Sequence, residues 1–466
     1  MIPFFPKNIA HRAIAVYLIS LSLVSIFFVG YRISWGYALL GLIGVMGFFL
    51  LTANWSAAWR VYPEKQFVRF LFYTALGIRL VWVIASYYFY IQATGLPFEF
   101  AAADSIGYHE EAVWLASLNW SQVWEYYLGN AGVSDIGYPL YLTVIYKLVG
   151  PTVILPRVIK AFISAYTCIL LYNLSKRTFG EDTARMVGIM SALMMNLIVY
   201  CGYHLKETEM LFLEVAFLER ADYMFRSQKT TLWNILLPSL LALSLFFFRT
   251  VLGTVAVFSL ATAVLLMNTP SMKRGWKRLT LIGWGLLCLL VLGGGTIMTE
   301  VEGYWERKED NLVKRRYQQT VRGNQWAQYA TGAVMTPMVF VLPFSTMVNV
   351  DEQYGQQEKH GGNFVRNFMG FFAILGIYEA IRRKRLGDFV LIGSFVIAYL
   401  GIVSLSGFSN SERFLLPGLP GLIMIWGYGV SALRKSTFKL LTPWCFIVVA
   451  MEIAWAFFKL GSRGLF

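Results

Sequence analysis

The stretch Leu232–Met267 reads LWNILLPSLLALSLFFFRTVLGTVAVFSLATAVLLM, and its only charge is Arg249. As one helix at 1.5 Å per residue it would be about 54 Å long, nearly twice the roughly 30 Å hydrocarbon core of a bilayer. It must therefore cross twice, with Arg249 at the outer turn. The rest of the chain has the same character: 57% of its 466 residues are apolar and 14% are charged, against about 25% charged in a soluble domain. A soluble enzyme and a disordered chain are both excluded. The formal net charge is +14, yet the cations sit in short clusters between long apolar runs. That placement implies anionic membrane lipid as the partner, and no nucleic acid. Cys168, Cys201, Cys288 and Cys445 all fall in predicted membrane helices, which excludes a disulfide scaffold.

Lys7, His11 and Arg12 precede a charge-free run from Ala13 to Gly30, no A-x-A-like cleavage site follows, and a second apolar run spans Ile33 to Ala53. This predicts an uncleaved first helix of a multi-pass protein with a cytoplasmic amino terminus. Six basic clusters fall in short connections: Arg60 with Lys65 and Arg69; Lys176, Arg177 and Arg185; Arg220, Arg226 and Lys229; Lys273, Arg274, Lys277 and Arg278; Arg382 to Arg385; and Arg434, Lys435 and Lys439. The positive-inside rule assigns all six to the cytoplasmic side. Between Arg79 and Lys147 there is no Lys or Arg, while Glu99, Asp104, Glu110, Glu111, Glu125 and Asp135 fall there, so this loop faces outward. Gly137 to Gly150 would reach only about 20 Å as a helix and reads as interfacial.

Further crossings are expected near 68–92, 153–174, 186–203, 208–224, 232–248, 250–267, 279–298, 364–381, 388–406, 414–432 and 438–458, about thirteen in all with the first two. Thr331 to Val348, interrupted by Pro337 and Pro343, reads as re-entrant or surface-lying. The predicted fold class is an all-α polytopic membrane protein. Its organisation is two amino-terminal helices in 1–67, a core in 68–298 with a first outer loop at 94–152, a second outer loop in 299–365, and carboxy-terminal helices in 366–466.

Ionisable groups at membrane depth are expensive, about 2.5–3.5 kcal/mol each on insertion scales, and function is the usual reason to keep them. The candidates all map to the outer ends of helices: Asp104 and His109, Arg157, His204 with Lys206 and Glu207, Arg249, and Arg413. Carboxylates and cations at one membrane face suit transfer from a lipid phosphate. A carboxylate accepts the proton of an acceptor hydroxyl as its oxygen attacks an anomeric carbon, and cations stabilise the leaving phosphate.

The order Asp104-x-x-x-Tyr108, Gly137-Tyr138-Pro139-x-Tyr141, Pro156-Arg157, Leu205-Lys206-Glu207 and Glu412-Arg413-Phe414-x-x-Pro417-x-x-Pro420 resembles bacterial GT-C glycosyltransferases, the superfamily that includes protein O-mannosyltransferases and the aminoarabinose transferases of lipid A. The resemblance covers roughly Val68 to Val430, leaving the first two helices as additions. It implies a GT-C-like bundle that transfers a sugar, with inversion, from a polyprenyl-phosphate donor to a lipid, glycan or protein acceptor. The implied setting is the cytoplasmic membrane with the active site facing outward, in cell-envelope polysaccharide biosynthesis. Asp104 matches the first-loop catalytic carboxylate and Glu207 the acid of the second outer loop. Lys206, Arg249 and Arg413 match phosphate contacts, with Arg157, Tyr108, His109, Tyr138 and His204 as further candidates for substrate contact. Many relatives carry paired first-loop acids, whereas Asp104 precedes Ser105. No cofactor is therefore required, and a divalent metal, which is disfavoured, would need Glu110 or Glu111 as partner.

Each residue also has a plainer reading. Asp104 suits a helix cap, Lys206 and Glu207 a neighbouring ion pair, Arg249 and Arg413 lipid headgroup contacts, Asp135 a structural role, and His109 and His204 local hydrogen bonds, since no H-E-x-x-H spacing occurs. Trp114, Trp120, Trp124, Tyr126 and Tyr127 suit a surface helix or sugar stacking. Gly293-Gly294-Gly295 suits helix packing. A polysaccharide repeat-unit polymerase or ligase is a competing function, its large late loop only partly matched by Trp305 to Arg322. A lipid-linked sugar flippase is another, but transport favours charges at the midplane, and these lie at one face.

Overall fold

The computed structural model describes residues 2–129, 135–227, 231–267, 338, 340–350, 353–405, 411–461 and 465. The predicted crossing at 279–298, the cluster Lys273 to Arg278, Lys229, Cys288, the Gly293 run, the Trp305–Arg322 segment and Pro337 lie outside the described residues.

The described residues are mostly helical, with no strand and one isolated antiparallel bridge between Arg32 and Val348. Helix ends fall where backbone chemistry demands. Pro63 precedes the helix Glu64–Thr94, whose first turn carries Glu64, and Gly95 at φ 76° closes it in the left-handed region. The apolar run quoted first divides as expected. Leu232–Phe248 ends at Arg249, which is extended (φ −163°, ψ 114°), and Thr250–Leu266 follows at once. The two helices pack together, and Phe246 lies against Gly253.

Eight helices among the described residues are long and apolar enough to cross a bilayer, or nine if the bent pair Glu181–Leu193 and Met195–Gly202 is one span. Leu232–Phe248 and Thr250–Leu266 are shorter apolar helices, each about 26 Å long. Glu207–Arg226 coincides with the expected crossing at 208–224, but its acids Glu207, Glu209, Glu214, Glu219 and Asp222 are buried within the protein. Outward-facing apolar side chains such as Ile19, Tyr73, Val81, Ile397 and Phe446 would be an aggregation hazard in water and are ordinary in lipid.

Two helices, Ile154–Phe179 and Glu207–Arg226, carry candidate site residues at one end and basic residues at the other. Ile154–Phe179 has Arg157 near its start and Lys176 and Arg177 near its end. Glu207–Arg226 runs from Glu207 to Arg226, and His360–Arg382 ends in its own cluster. Five of the basic clusters are tied together. Arg60 lies 3.7 Å from Asp182, Lys176 pairs with Glu64, Arg177 holds Glu219 and Asp222, Arg226 approaches Asp388, Arg385 donates to Thr178 O, and Arg434 reaches Glu379.

The first two helices are built into the bundle. Lys7–Phe27 packs on Leu441–Gly461, and the Tyr17 hydroxyl lies 2.8 Å from His360 Nε2. Residues 341–350 run mostly buried as non-helical chain beside the start of His360–Arg382, where Ser345 Oγ donates to His360 O. The segment 94–152 contributes the helices Ala103–Ser117, Trp120–Gly129 and Gly137–Val149, the last packed on the first.

Candidate active site

Asp104 is the second residue of Ala103–Ser117, whose N-cap is Ala102 with no side-chain cap bond. It is therefore not the cap. Ala101, at φ 56°, turns the chain into this helix in a conformation that costs an alanine about 1–2 kcal/mol. The Asp104 carboxylate is ion-paired with Arg413 Nη1, and Arg413 Nε in turn meets Glu207 Oε1. Arg249 Nη2 lies 3.7 Å from the same Glu207 oxygen. The result is an alternating chain, Asp104, Arg413, Glu207, Arg249, contributed by four separate segments.

Exposure in this chain is greatest at the Asp104 end. Glu207 is fully enclosed, Arg249 is 12% exposed, Arg413 22% and Asp104 58%. The acid at the open end is thus the one a substrate can reach. Arg249 also stacks over the Phe414 ring at 4.7 Å and donates to Tyr399 Oη at 3.2 Å, so it faces the interior rather than lipid.

Lys206 does not pair with its neighbour Glu207. It contacts Asp135 and donates to Phe248 O at 2.7 Å. Asp135, at φ 73°, opens the turn into Gly137–Val149, and Tyr108 Oη donates to it at 3.4 Å. Gly137 makes this junction possible, because a Cβ there would sit 2.7 Å from Phe248 Cε2, one residue from Arg249. Burial, with the nearby guanidinium groups of Arg249 and Arg413, pushes the Lys206 ammonium down to about 7. The Glu207 and Asp104 carboxylates act in the opposite direction. Burial holds the Tyr108 phenol up at about 12.

Arg157, His204, His109 and Tyr138 form a second, deeper layer. Glu99 is its hub: it accepts from Ser105 Oγ and, at 3.2 Å, from the His204 backbone N–H, and Arg157 lies 3.6 Å away. Arg157 also donates to Pro97 O at 2.7 Å. The Tyr146 hydroxyl bridges His109 Nδ1 at 2.8 Å and His204 Nε2 at 3.2 Å. Burial, reinforced by Lys160 and Arg157, drives the His204 pKa well below the usual imidazole value, and burial lowers that of His109 as well. Tyr138 is buried, with Lys160 Nζ 4.8 Å over its ring.

Two members of this layer escaped the sequence reading. Glu99 looked like one acid among several in a loop. Lys160 lies one turn from Arg157 in an apolar helix and pairs with Glu209 at 3.7 Å. An ionisable side chain within a predicted span was the available signal for Lys160. Among the described residues, no three His, Cys, Asp or Glu side chains converge as metal ligands. Trp114 packs edge-on to Tyr126 at 4.9 Å, and Trp120 and Trp124 are half exposed on Trp120–Gly129.

A sequence model of the Alg9-like mannosyltransferase family matches residues 108–462. The chain belongs to that family. It is accordingly a multi-pass membrane glycosyltransferase of the GT-C superfamily, as the ordered motifs implied. Within that superfamily the match is to Alg9-like enzymes, where the motif comparison had pointed to protein O-mannosyltransferases and aminoarabinose transferases. For this Alg9-like chain the matched region begins just past Asp104 and takes in Lys206, Glu207, Arg249 and Arg413. No curated protein matches the chain. Family membership separates glycosyl transfer from a flippase that performs no chemistry.

Proposed function

We propose that this protein transfers a hexosyl unit, mannosyl being the unit in its family's description, from a polyprenyl-phosphate donor to an acceptor hydroxyl, with inversion. The observation that carries the reading is the Asp104, Arg413, Glu207, Arg249 chain with Lys206 beside it. Asp104 takes the proton of the acceptor hydroxyl while that oxygen attacks the anomeric carbon. The bond from that carbon to the phosphate oxygen breaks, and its electron pair leaves with the polyprenyl phosphate. Arg413, Arg249 and Lys206 stabilise the released charge, the arginines through two-pronged contacts to phosphate oxygens. Glu207 is the counter-charge that holds both guanidinium groups in place. A single displacement of this kind inverts the anomeric centre and calls for no cofactor.

A donor phosphate would compete with Asp104 for Arg413. Its arrival frees the carboxylate to act as base only when the donor is in place. The site faces the exterior in this reading, because the ends of the helices away from the site carry the tied basic clusters that the positive-inside rule keeps in the cytoplasm. The test is consumption of polyprenyl-phosphate mannose by membranes carrying wild type or Asp104→Asn at equal expression. Turnover by wild type and its loss in the variant support the reading; equal turnover by the two sinks it.

A further inference from the structure

The basic clusters differ in how far acids neutralise them. Arg60, Lys176 and Arg185 meet Asp182, Glu64 and Glu181. Arg177, Arg220, Arg226 and Arg385 meet Glu219, Asp222 and Asp388. At the end of His360–Arg382 the balance fails: residues 379–384 and 434–439 bring six cations and a single acid, Glu379. Glu379 is fully buried and takes Arg382 at 3.0 Å, Arg383 at 2.9 Å and Arg434 at 3.3 Å. Lys384, Lys435 and Lys439 of the same two segments are exposed.

One carboxylate shared by three guanidinium groups fixes their geometry without cancelling their charge. Arg382 and Arg434 stay 47% and 42% exposed. Arg382 gives Glu379 only Nη1 and Arg434 only Nη2, and a guanidinium has five N–H donors to offer. An apolar track leads to the same place. Ile374, Tyr378 and Ile381 are each more than half exposed on His360–Arg382, spaced four and three residues apart, and Arg382 lies one turn beyond Tyr378. A hydrocarbon chain lying along that track brings a phosphate level with the guanidinium groups. A phosphodiester accepts two-pronged contacts from arginine. The surplus of cations selects a headgroup of net negative charge, because a headgroup that also carries an ammonium would set it against the lysines.

We propose that Arg382, Arg383 and Arg434, held together by Glu379, form a binding site for an anionic glycerophospholipid whose acyl chain lies along Ile374, Tyr378 and Ile381. The site is on the membrane face that the positive-inside rule assigns to the cytoplasm, and it is independent of glycosyl transfer. The test is native mass spectrometry of the full-length protein in detergent with phosphatidylglycerol or phosphatidylcholine. Three double variants are compared with wild type. Arg382→Gln with Arg434→Gln removes two contacts, and Lys384→Gln with Lys435→Gln removes surplus charge while leaving every pair of Glu379 intact. Lys65→Gln with Arg69→Gln removes the same charge from exposed positions in another cluster. Wild type and the Lys65 and Arg69 variant are expected to bind phosphatidylglycerol equally and in preference to phosphatidylcholine. The Arg382 and Arg434 variant should bind it about thirtyfold more weakly, the attraction that two surface cations lend an anionic lipid. The Lys384 and Lys435 variant should lose about fivefold, since lysines that attract without contact are partly screened, and it carries the test if thermal unfolding shows the arginine variant to be misfolded. Undiminished binding by the folded cluster variants, equal loss in the Lys65 and Arg69 variant, or equal affinity for the two lipids overturns the proposal. So does thermal stabilisation by inorganic phosphate as large as that by phosphatidylglycerol, which would mark a site for free anions.

Discussion

Asp104 and Arg413, 309 residues apart in the chain, are held in one ion pair at the mouth of the site. The pair joins the helix Ala103–Ser117 to the helix Glu412–Leu415, and Arg413 passes the contact inward to Glu207. A half-exposed acid resting on a cation that also suits phosphate means that donor binding and base release compete for one guanidinium.

Asp104→Asn keeps the size of the side chain and removes the base. Transfer is expected to fall by about 10²–10⁴ in kcat, with donor KM at or below that of wild type, because the phosphate no longer competes with a carboxylate for Arg413. Because Asp104 is 58% exposed, the lost ion pair costs at most about 1 kcal/mol. Steady-state kinetics and thermal unfolding on the same preparation check both halves.

Arg413→Ala leaves the fully buried Glu207 with Arg249, at 3.7 Å, as its remaining ion-pair partner. The expected destabilisation is about 3 kcal/mol, the low end for a broken buried pair. Arg413→Lys keeps the charge but not the two-pronged contact, so it should retain the fold and raise donor KM. A wild-type KM in the lysine variant would remove Arg413 from phosphate binding.

Glu99→Ala releases Ser105, the His204 backbone and Arg157 together. Arg157 is fully buried, so the fold should lose about 3–5 kcal/mol. Glu99→Gln keeps the volume, and because it unlocks the turn that carries Asp104, it should lower kcat more than it raises KM. An unchanged kcat in the glutamine variant would show that the knot does not position Asp104.

Lys206 should give a pH signature. With its folded pKa lowered to about 7 from an unfolded value near 10.4, the folded state binds fewer protons between those limits. The site's cost to stability is therefore fully present below pH 7 and is relieved as pH rises towards the unfolded value. Donor affinity runs the other way, since the ammonium is lost above about 7. Asp135→Asn removes the contacting acid and should move the alkaline limb of the donor KM profile to lower pH. Lys206→Met should abolish that limb. A profile unaltered by Lys206→Met would exclude this ammonium from phosphate binding.

The amino-acid order by itself determined that the chain is a helical membrane protein, where it breaks at Arg249, where the basic clusters fall and which helix ends carry the acids and cations. Those features are local: a span is a length of apolar chain, and a break is a charge or an extended residue within it. Partner choice was decided only in three dimensions. Lys206 stands next to Glu207 in sequence yet pairs with Asp135, while Glu207 takes Arg413 and Arg249. Glu99 became a hub because Ser105, Arg157 and His204 converge on it from three segments. The rotation and packing of each helix, set by side chains far apart in the chain, choose which charges meet, and hydropathy along one strand of sequence carries no record of that choice.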